Sequence, residues 1–214
     1  MIDISHQILS RYGRPEEYLI DHYPTNYFDY YIDIGTRGVK NPWHINNIAK
    51  TNPKTSCLGY EPDTPYYYEL TNAIEKEQIT NAIVHHQGFG TGAEIKTPQG
   101  SIGTVTLSQI FDKYNLNPSQ TWAIKFDCEG GEYALFTEEC RECVDILKQA
   151  DHISLEFHTS KAGKNFFTTN NNLPQSFDRS EEWMKKNFTH FGVLTSKEQG
   201  LRTYVLLSDK LVAE

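Results

Sequence analysis

Five segments of the chain close apolar runs with groups that can do chemistry. They are Asp33-x-Gly35-x-x-Gly38, Glu61-Pro62-Asp63, His85-His86-Gln87, Asp127-x-Glu129-Gly130 and Glu156-x-His158. Carboxylates and imidazoles gathered at one edge can accept a hydroxyl proton, hold a cationic ligand or coordinate a metal. The glycines of the first segment let backbone approach a bound molecule closely. Glu61 can accept both hydroxyls of a ribose, as carboxylates at the end of a second strand do in nucleotide-binding folds.

Asp33 stands where a dinucleotide-binding loop carries its first glycine, and an acid there repels a pyrophosphate. The same acid suits a ligand with an ammonium or a sulfonium, such as S-adenosylmethionine. On charge, this cofactor fits better than NAD.

To act together, the five segments need elements that bring them to one edge. YYIDIG, SCLGY, ITNAIVHH, TWAIKFD and HISLEFH read as strands, several of them continuous apolar runs of the kind buried on both faces of a parallel sheet. Helical patterns alternate with them. One opens at Asn41-Pro42 and runs through Ala49; one starts at Thr64-Pro65 and reaches about Ile74, proline suiting a first helical position. TVTLSQIFDKY turns from extended to helical. A further helix runs from Glu129-Gly130-Gly131-Glu132 to about Ala150, and another lies near 180–187. FGVLTS and LRTYVLLS close the chain as strands. Residues 88–103, with five glycines, read as a loop or small hairpin. The alternation predicts a doubly wound α/β sheet, whose ligands bind beyond the carboxyl ends of the strands where the strand order reverses. Residues 1–27, a weak helical pattern followed by aromatics, read as an appendage to a domain over 28–214.

The 214 residues suit one domain, and 38% hydrophobic with 13% aromatic residues suffices for a core. A net charge of -8 disfavours nucleic acid as a partner, and no apolar run is long enough to span a membrane. The start, MIDISHQILS, shows no secretory pattern, so a soluble, cytoplasmic protein is expected. Cys57 and Cys128 read as core thiols. Cys140 and Cys143 form a CxxC on one helix face without the second pair that zinc requires, so packing is their expected role. Core packing is likewise expected for most of the aromatics at 23–31 and 66–68.

YYIDIGTRG, CLGYEPD, TVTLSQIF, WAIKFDCEGGEYALF and ISLEFH, in that order over about residues 28–158, resemble the FkbM family of S-adenosylmethionine-dependent methyltransferases. The most specific piece is KFDCEGGE, similar to that family's K-hydrophobic-D-x-E-G-x-E segment. The first loop departs from the family's D-x-G-A-N-x-G: here Thr36, Arg37 and Gly38 follow Gly35. The resemblance implies a class I, Rossmann-like fold with a mostly parallel seven-stranded sheet and helices on both faces. It also implies O-methylation of sugar or natural-product hydroxyls. It would put Asp33 and Gly35 near the methionyl part of the cofactor, Glu61 on the ribose and Asp127 close to the reacting centre. The cofactor set expected here is Asp33, Gly35, Thr36, Gly38, Glu61, Pro62, Gln87 and Asp127.

Methyl transfer to a weakly acidic hydroxyl profits from a positioned base. Asp127, Glu129, Glu156, His158, His85 and His86 are candidates, and Asp127, His158 and Glu129 are the preferred set. His85 and His86 point to opposite faces of a strand, so at most one joins the site. Helix capping and ordinary strand-end hydrogen bonds compete for Glu129 and His158. A divalent cation on Asp127, Glu129, Glu156 and His158 is a less favoured alternative. The acceptor is expected to be a small molecule or glycan, bound in part by the polar loop 159–177. The competing functions are an enzyme binding NAD or a nucleotide sugar on the same fold, and a non-catalytic methyltransferase-like module.

Overall fold

The computed structural model of the protein describes residues 2–3, 20, 23–41, 44–137, 140–158, 177–188, 190–193 and 202–208. The strands are β1 (Ile2–Asp3), β2 (Tyr30–Ile34), β3 (Ser56–Tyr60), β4 (Ala82–His85), β5 (Gly88–Phe89), β6 (Glu94–Thr97), β7 (Gly100–Val105), β8 (Trp122–Phe126), β9 (His152–His158), β10 (His190–Val193) and β11 (Arg202–Ser208). The helices are α1 (Ile45–Thr51), α2 (Thr64–Lys76), α3 (Leu107–Tyr114), α4 (Arg141–Leu147) and α5 (Phe177–Asn187), with a 3-10 helix at Gly131–Phe136.

The main sheet runs β1-β10-β11-β9-β8-β2-β3-β4. β2, β3, β4, β8 and β9 are parallel, and β11 runs antiparallel to both β9 and β10. The chain goes from β2 outward to β3 and β4, then returns to place β8 on the other side of β2. The order therefore reverses between β2 and β8, which is where a ligand crevice belongs.

Alternation along the strands splits the core into two faces. Tyr30, Ile32, Ile34, Trp122, Ile124 and Phe126 pack with Leu107, Ile110 and Phe111 of α3 on one face. Tyr31, Cys57 and Ala123 pack with Ile45 and Ile48 of α1 and Leu70 of α2 on the other, joined by Ile20 and Phe28. The period of two then puts Asp33 and Lys125, which follow Tyr31 and Ala123, on the α1 face. Local signals start two of the helices, α2 beginning at Thr64 as expected. The Asp63 side chain accepts from the Tyr66 N–H, with Pro65 in the first turn of α2. Thr106 and Gln109 form a reciprocal capping box before α3.

Several elements differ from expectation. α1 starts at Ile45 rather than at Asn41, because His44 is extended at its N-cap. The helix expected from Glu129 to Ala150 is two pieces, since Thr137 is extended (φ -96, ψ 161) between the 3-10 helix and α4. The glycine-rich segment is the antiparallel pair β6–β7 with β5 beside it. To the seven strands expected, β1 adds an eighth at the edge, pairing with β10. Cys140 and Cys143 are free and buried, as expected of core thiols, and so is Cys57; Cys128 is only partly buried. The helical pattern at 4–19 and the polar loop at 159–176 lie outside the described residues. Among the described residues no helix is long and apolar enough to cross a membrane.

Candidate functional site

The turn after β2 is fixed by a backbone demand. Gly35 has φ +75, and a Cβ there would stand 1.7 Å from the Asp127 carbonyl oxygen. Only glycine meets both conditions. The Gly35 and Thr36 N–H groups donate to the Tyr60 carbonyl (2.9 and 3.3 Å), and Asp127 N–H donates to the Ile34 carbonyl at 2.9 Å. The ends of β2, β3 and β8 are thus bound together around this turn. Gly38, φ +88, lets the chain pass His44, whose ring would meet a Cβ at 3.1 Å.

Asp33 is fully buried and pairs in register with Lys125. The Lys125 ammonium donates to Asp33 Oδ1 at 2.8 Å and to the Gly35 carbonyl at 3.2 Å, and Asp127 Oδ2 stands 3.8 Å away. Burial alone would lower the lysine's pKa. Attraction to Asp33, Asp127 and Glu156 outweighs it and raises the value above the ordinary one, so the ammonium stays charged. Asp33 Oδ2 and Thr36 Oγ1 are buried without hydrogen-bond partners. Orphaned buried oxygens are rare and ask for a ligand or a function.

Glu61 and Pro62 are buried at the end of β3. Glu61 N–H donates to the His85 carbonyl, and one carboxylate oxygen accepts from Asp63 N–H at 2.8 Å. Burial pushes the Glu61 carboxyl up to about 8, against a smaller lowering from that N–H. His85 and His86 diverge as expected. His85 meets the Tyr114 hydroxyl and, at 3.4 Å, the Lys113 ammonium on the α3 side. His86 stacks on Tyr67 and meets the Thr64 hydroxyl on the α2 side. Both are occupied by neighbours, which suits structure better than proton transfer. Gln87 follows them, half-buried.

Beyond β8, Asp127 keeps 26% of its side chain exposed, whereas Asp33 and Glu156 are buried. Glu129 adopts φ +52, a strained conformation for a residue with a side chain, next to Gly130 at φ +106. Its carboxylate lies 3.9 Å from the Arg37 guanidinium, which also stacks over Tyr66 at 4.3 Å and donates to its hydroxyl at 2.5 Å. Glu132 is buried and structural: its carboxylate accepts from Gly130 N–H at 2.8 Å and holds the turn. His158 ends β9 opposite Arg202. Among the described residues no group of three or more His, Cys, Asp and Glu is placed to hold a metal ion.

Asp33, Gly35, Thr36, Glu61 and Asp127 therefore meet at the switch point. Lys125 and Arg37 complete the surroundings, and neither was counted among the site residues. The signal for Lys125 was available in part: it stands two residues before Asp127, hence on the same strand face. Its partner Asp33 depends on register, which spacing along the chain does not carry.

No protein-family model matches the chain, and no curated protein matches it. Among solved structures, the bifunctional kinase-methyltransferase WbdD is similar with a TM-score of 0.50 at 9% identity, over 95% of this chain and 37% of that one. The METTL16 methyltransferase domain gives 0.49 at 12%, over 88% and 63%. A putative O-methyltransferase from Klebsiella pneumoniae gives 0.46 at 13%, over 84% and 72%. The chain thus spans less than two thirds of the first two. The likeness to WbdD and the strand order agree on the architecture, the class I, Rossmann-like methyltransferase fold.

Proposed function

We propose that the chain transfers a methyl group from S-adenosylmethionine to a hydroxyl of a sugar, glycan or related small molecule. One observation carries this reading. The turn at the switch point offers buried acid and hydroxyl oxygens, Asp33 Oδ2 and Thr36 Oγ1, that lack partners. Asp33 Oδ2, whose carboxylate partner oxygen the Lys125 ammonium holds, can accept from the ammonium of a methionyl group, and the Thr36 hydroxyl can accept or donate.

Asp33, Gly35, Thr36 and Gly38 would hold the methionyl part, Glu61 and Pro62 the ribose, and Gln87 the base. When bound, the cofactor supplies a cationic methyl donor with a good leaving group. The chain's own contribution is alignment of the acceptor oxygen with the methyl group, which turns a bimolecular encounter into an effectively unimolecular step. A base that takes the hydroxyl proton adds about 10²–10⁴-fold. Asp127 is assigned that role, because it follows β8 directly at the switch point, with one side near the Lys125 ammonium and the other open. Glu129 and His158, at the mouth and at the end of β9, would orient the acceptor. Arg37 is engaged with Tyr66 and Glu129, which turns its charge toward the surface rather than toward a sulfonium.

The net charge of -8 favours a neutral carbohydrate over a polyphosphate acceptor. The test is methyl incorporation from labelled S-adenosylmethionine into nucleotide sugars, free sugars, glycans and RNA. Incorporation at a carbohydrate hydroxyl is expected. Incorporation into RNA alone would overturn the acceptor class. Cofactor binding without incorporation anywhere would favour a non-catalytic module.

A further inference from the structure

A lysine with 2% of its side chain exposed, inside a parallel sheet, needs a reason. Lysine is almost never buried unless paired, and a buried ion pair is often no more stabilising than well-packed apolar residues. The three donors of Lys125 point to what else it does. One reaches Asp33 Oδ1 at 2.8 Å, another the Gly35 carbonyl at 3.2 Å, and Asp127 Oδ2 stands at 3.8 Å. These atoms belong to the end of β2, the glycine turn and the end of β8. On the reading above, the first two bear on the cofactor and the third on the acceptor.

We propose that Lys125 is a positioning residue that fixes the Gly35 turn and the Asp127 carboxylate relative to Asp33, so that cofactor and acceptor sites share one buried anchor. This rests on the function proposed above. Geometry as well as charge is required. An ammonium donates in three directions from a point, whereas a guanidinium donates in a planar fork and needs more room. The register makes the placement rigid, because Asp33 and Lys125 are direct partners across β2 and β8.

The test uses the whole chain with two readouts. One is calorimetric affinity for S-adenosylhomocysteine; the other is hydrogen exchange at the Gly35 and Thr36 N–H groups, which needs no ligand. Lys125→Arg keeps the charge. It is expected to weaken affinity at least tenfold and to speed exchange of both amides at least tenfold. Wild-type values for both would show that charge alone suffices and would overturn the proposal.

Should Lys125→Arg fail to fold, Asp33→Asn is compared with Asp33→Asn/Lys125→Met, in which no buried charge is left unpaired at Asp33 or Lys125. Adding Lys125→Met is expected to weaken affinity at least fivefold further and to speed turn exchange. Unchanged affinity and exchange would make Lys125 a mere counter-ion. If the wild type binds no S-adenosylhomocysteine, the cofactor reading fails, and the exchange result still decides whether Lys125 orders the turn.

Discussion

Gly35 lies so close to Asp127 that a Cβ on it would stand 1.7 Å from the Asp127 carbonyl oxygen. The loop expected to hold a cofactor and the strand end expected to do the chemistry touch backbone to backbone. Gly35→Ala adds a left-handed conformation, about 1–2 kcal/mol, to an overpacking cost of about 1–3 kcal/mol. A stability loss of at least about 2 kcal/mol in urea unfolding is expected from those terms. A variant as stable as the wild type would contradict the described turn.

Glu61 links stability to pH. Burial raises its carboxyl from 4.5 to about 8 in the folded protein. Between those values the folded form binds the extra proton, so stability from the protonated acid is full below 4.5 and is lost as pH rises through 8. The slope from this group is at most about 1.4 kcal/mol per pH unit. Urea unfolding across this range should show Glu61→Gln losing less stability than the wild type. Equal slopes in the two proteins would contradict it.

The same carboxyl should make cofactor binding proton-linked. Ribose hydroxyls donate to the ionised form, so binding near neutral pH should release a proton from Glu61. Calorimetry in buffers of different ionisation enthalpy reads that proton. Glu61→Gln should abolish the release and weaken binding by roughly 1.5–3 kcal/mol, the range for a hydrogen bond to a charged group. Proton release that persists in the variant would place its source elsewhere.

Asp127→Asn separates chemistry from binding. Cofactor affinity should stay within a few fold, while the rate at saturating acceptor falls by about 10²–10⁴-fold. A full rate in the variant would move the base to Glu129 or His158.

Arg37 is largely exposed, and so contributes little to the fold. Arg37→Ala should change stability by no more than about 0.5 kcal/mol. It should leave cofactor affinity within a few fold, because the guanidinium is spent on Tyr66 and Glu129. A tenfold loss of affinity would instead place Arg37 against the bound cofactor.

The strands that carry the site were legible because each is an apolar run ending in a polar group, as YYIDIG ends at Asp33 and WAIKFD at Asp127. The switch point followed from the βα alternation. Three features were not legible, for separate reasons. The pairing of Asp33 with Lys125 lies in the register of β2 and β8, a tertiary property. The break at Thr137 interrupts a segment whose apolar spacing continues through it, so tertiary packing overrode local propensity. The contact between Gly35 and Asp127 is set by how closely two loops pack, which residue types alone do not state.

The central claim is that the switch point between β2 and β8 holds S-adenosylmethionine, and equilibrium calorimetry tests it directly. Saturable, one-to-one binding of S-adenosylmethionine or S-adenosylhomocysteine is predicted, at least tenfold weaker in Glu61→Gln, with no comparable heat from NAD. Tight binding of NAD with no response to either methionine-derived ligand would contradict the account.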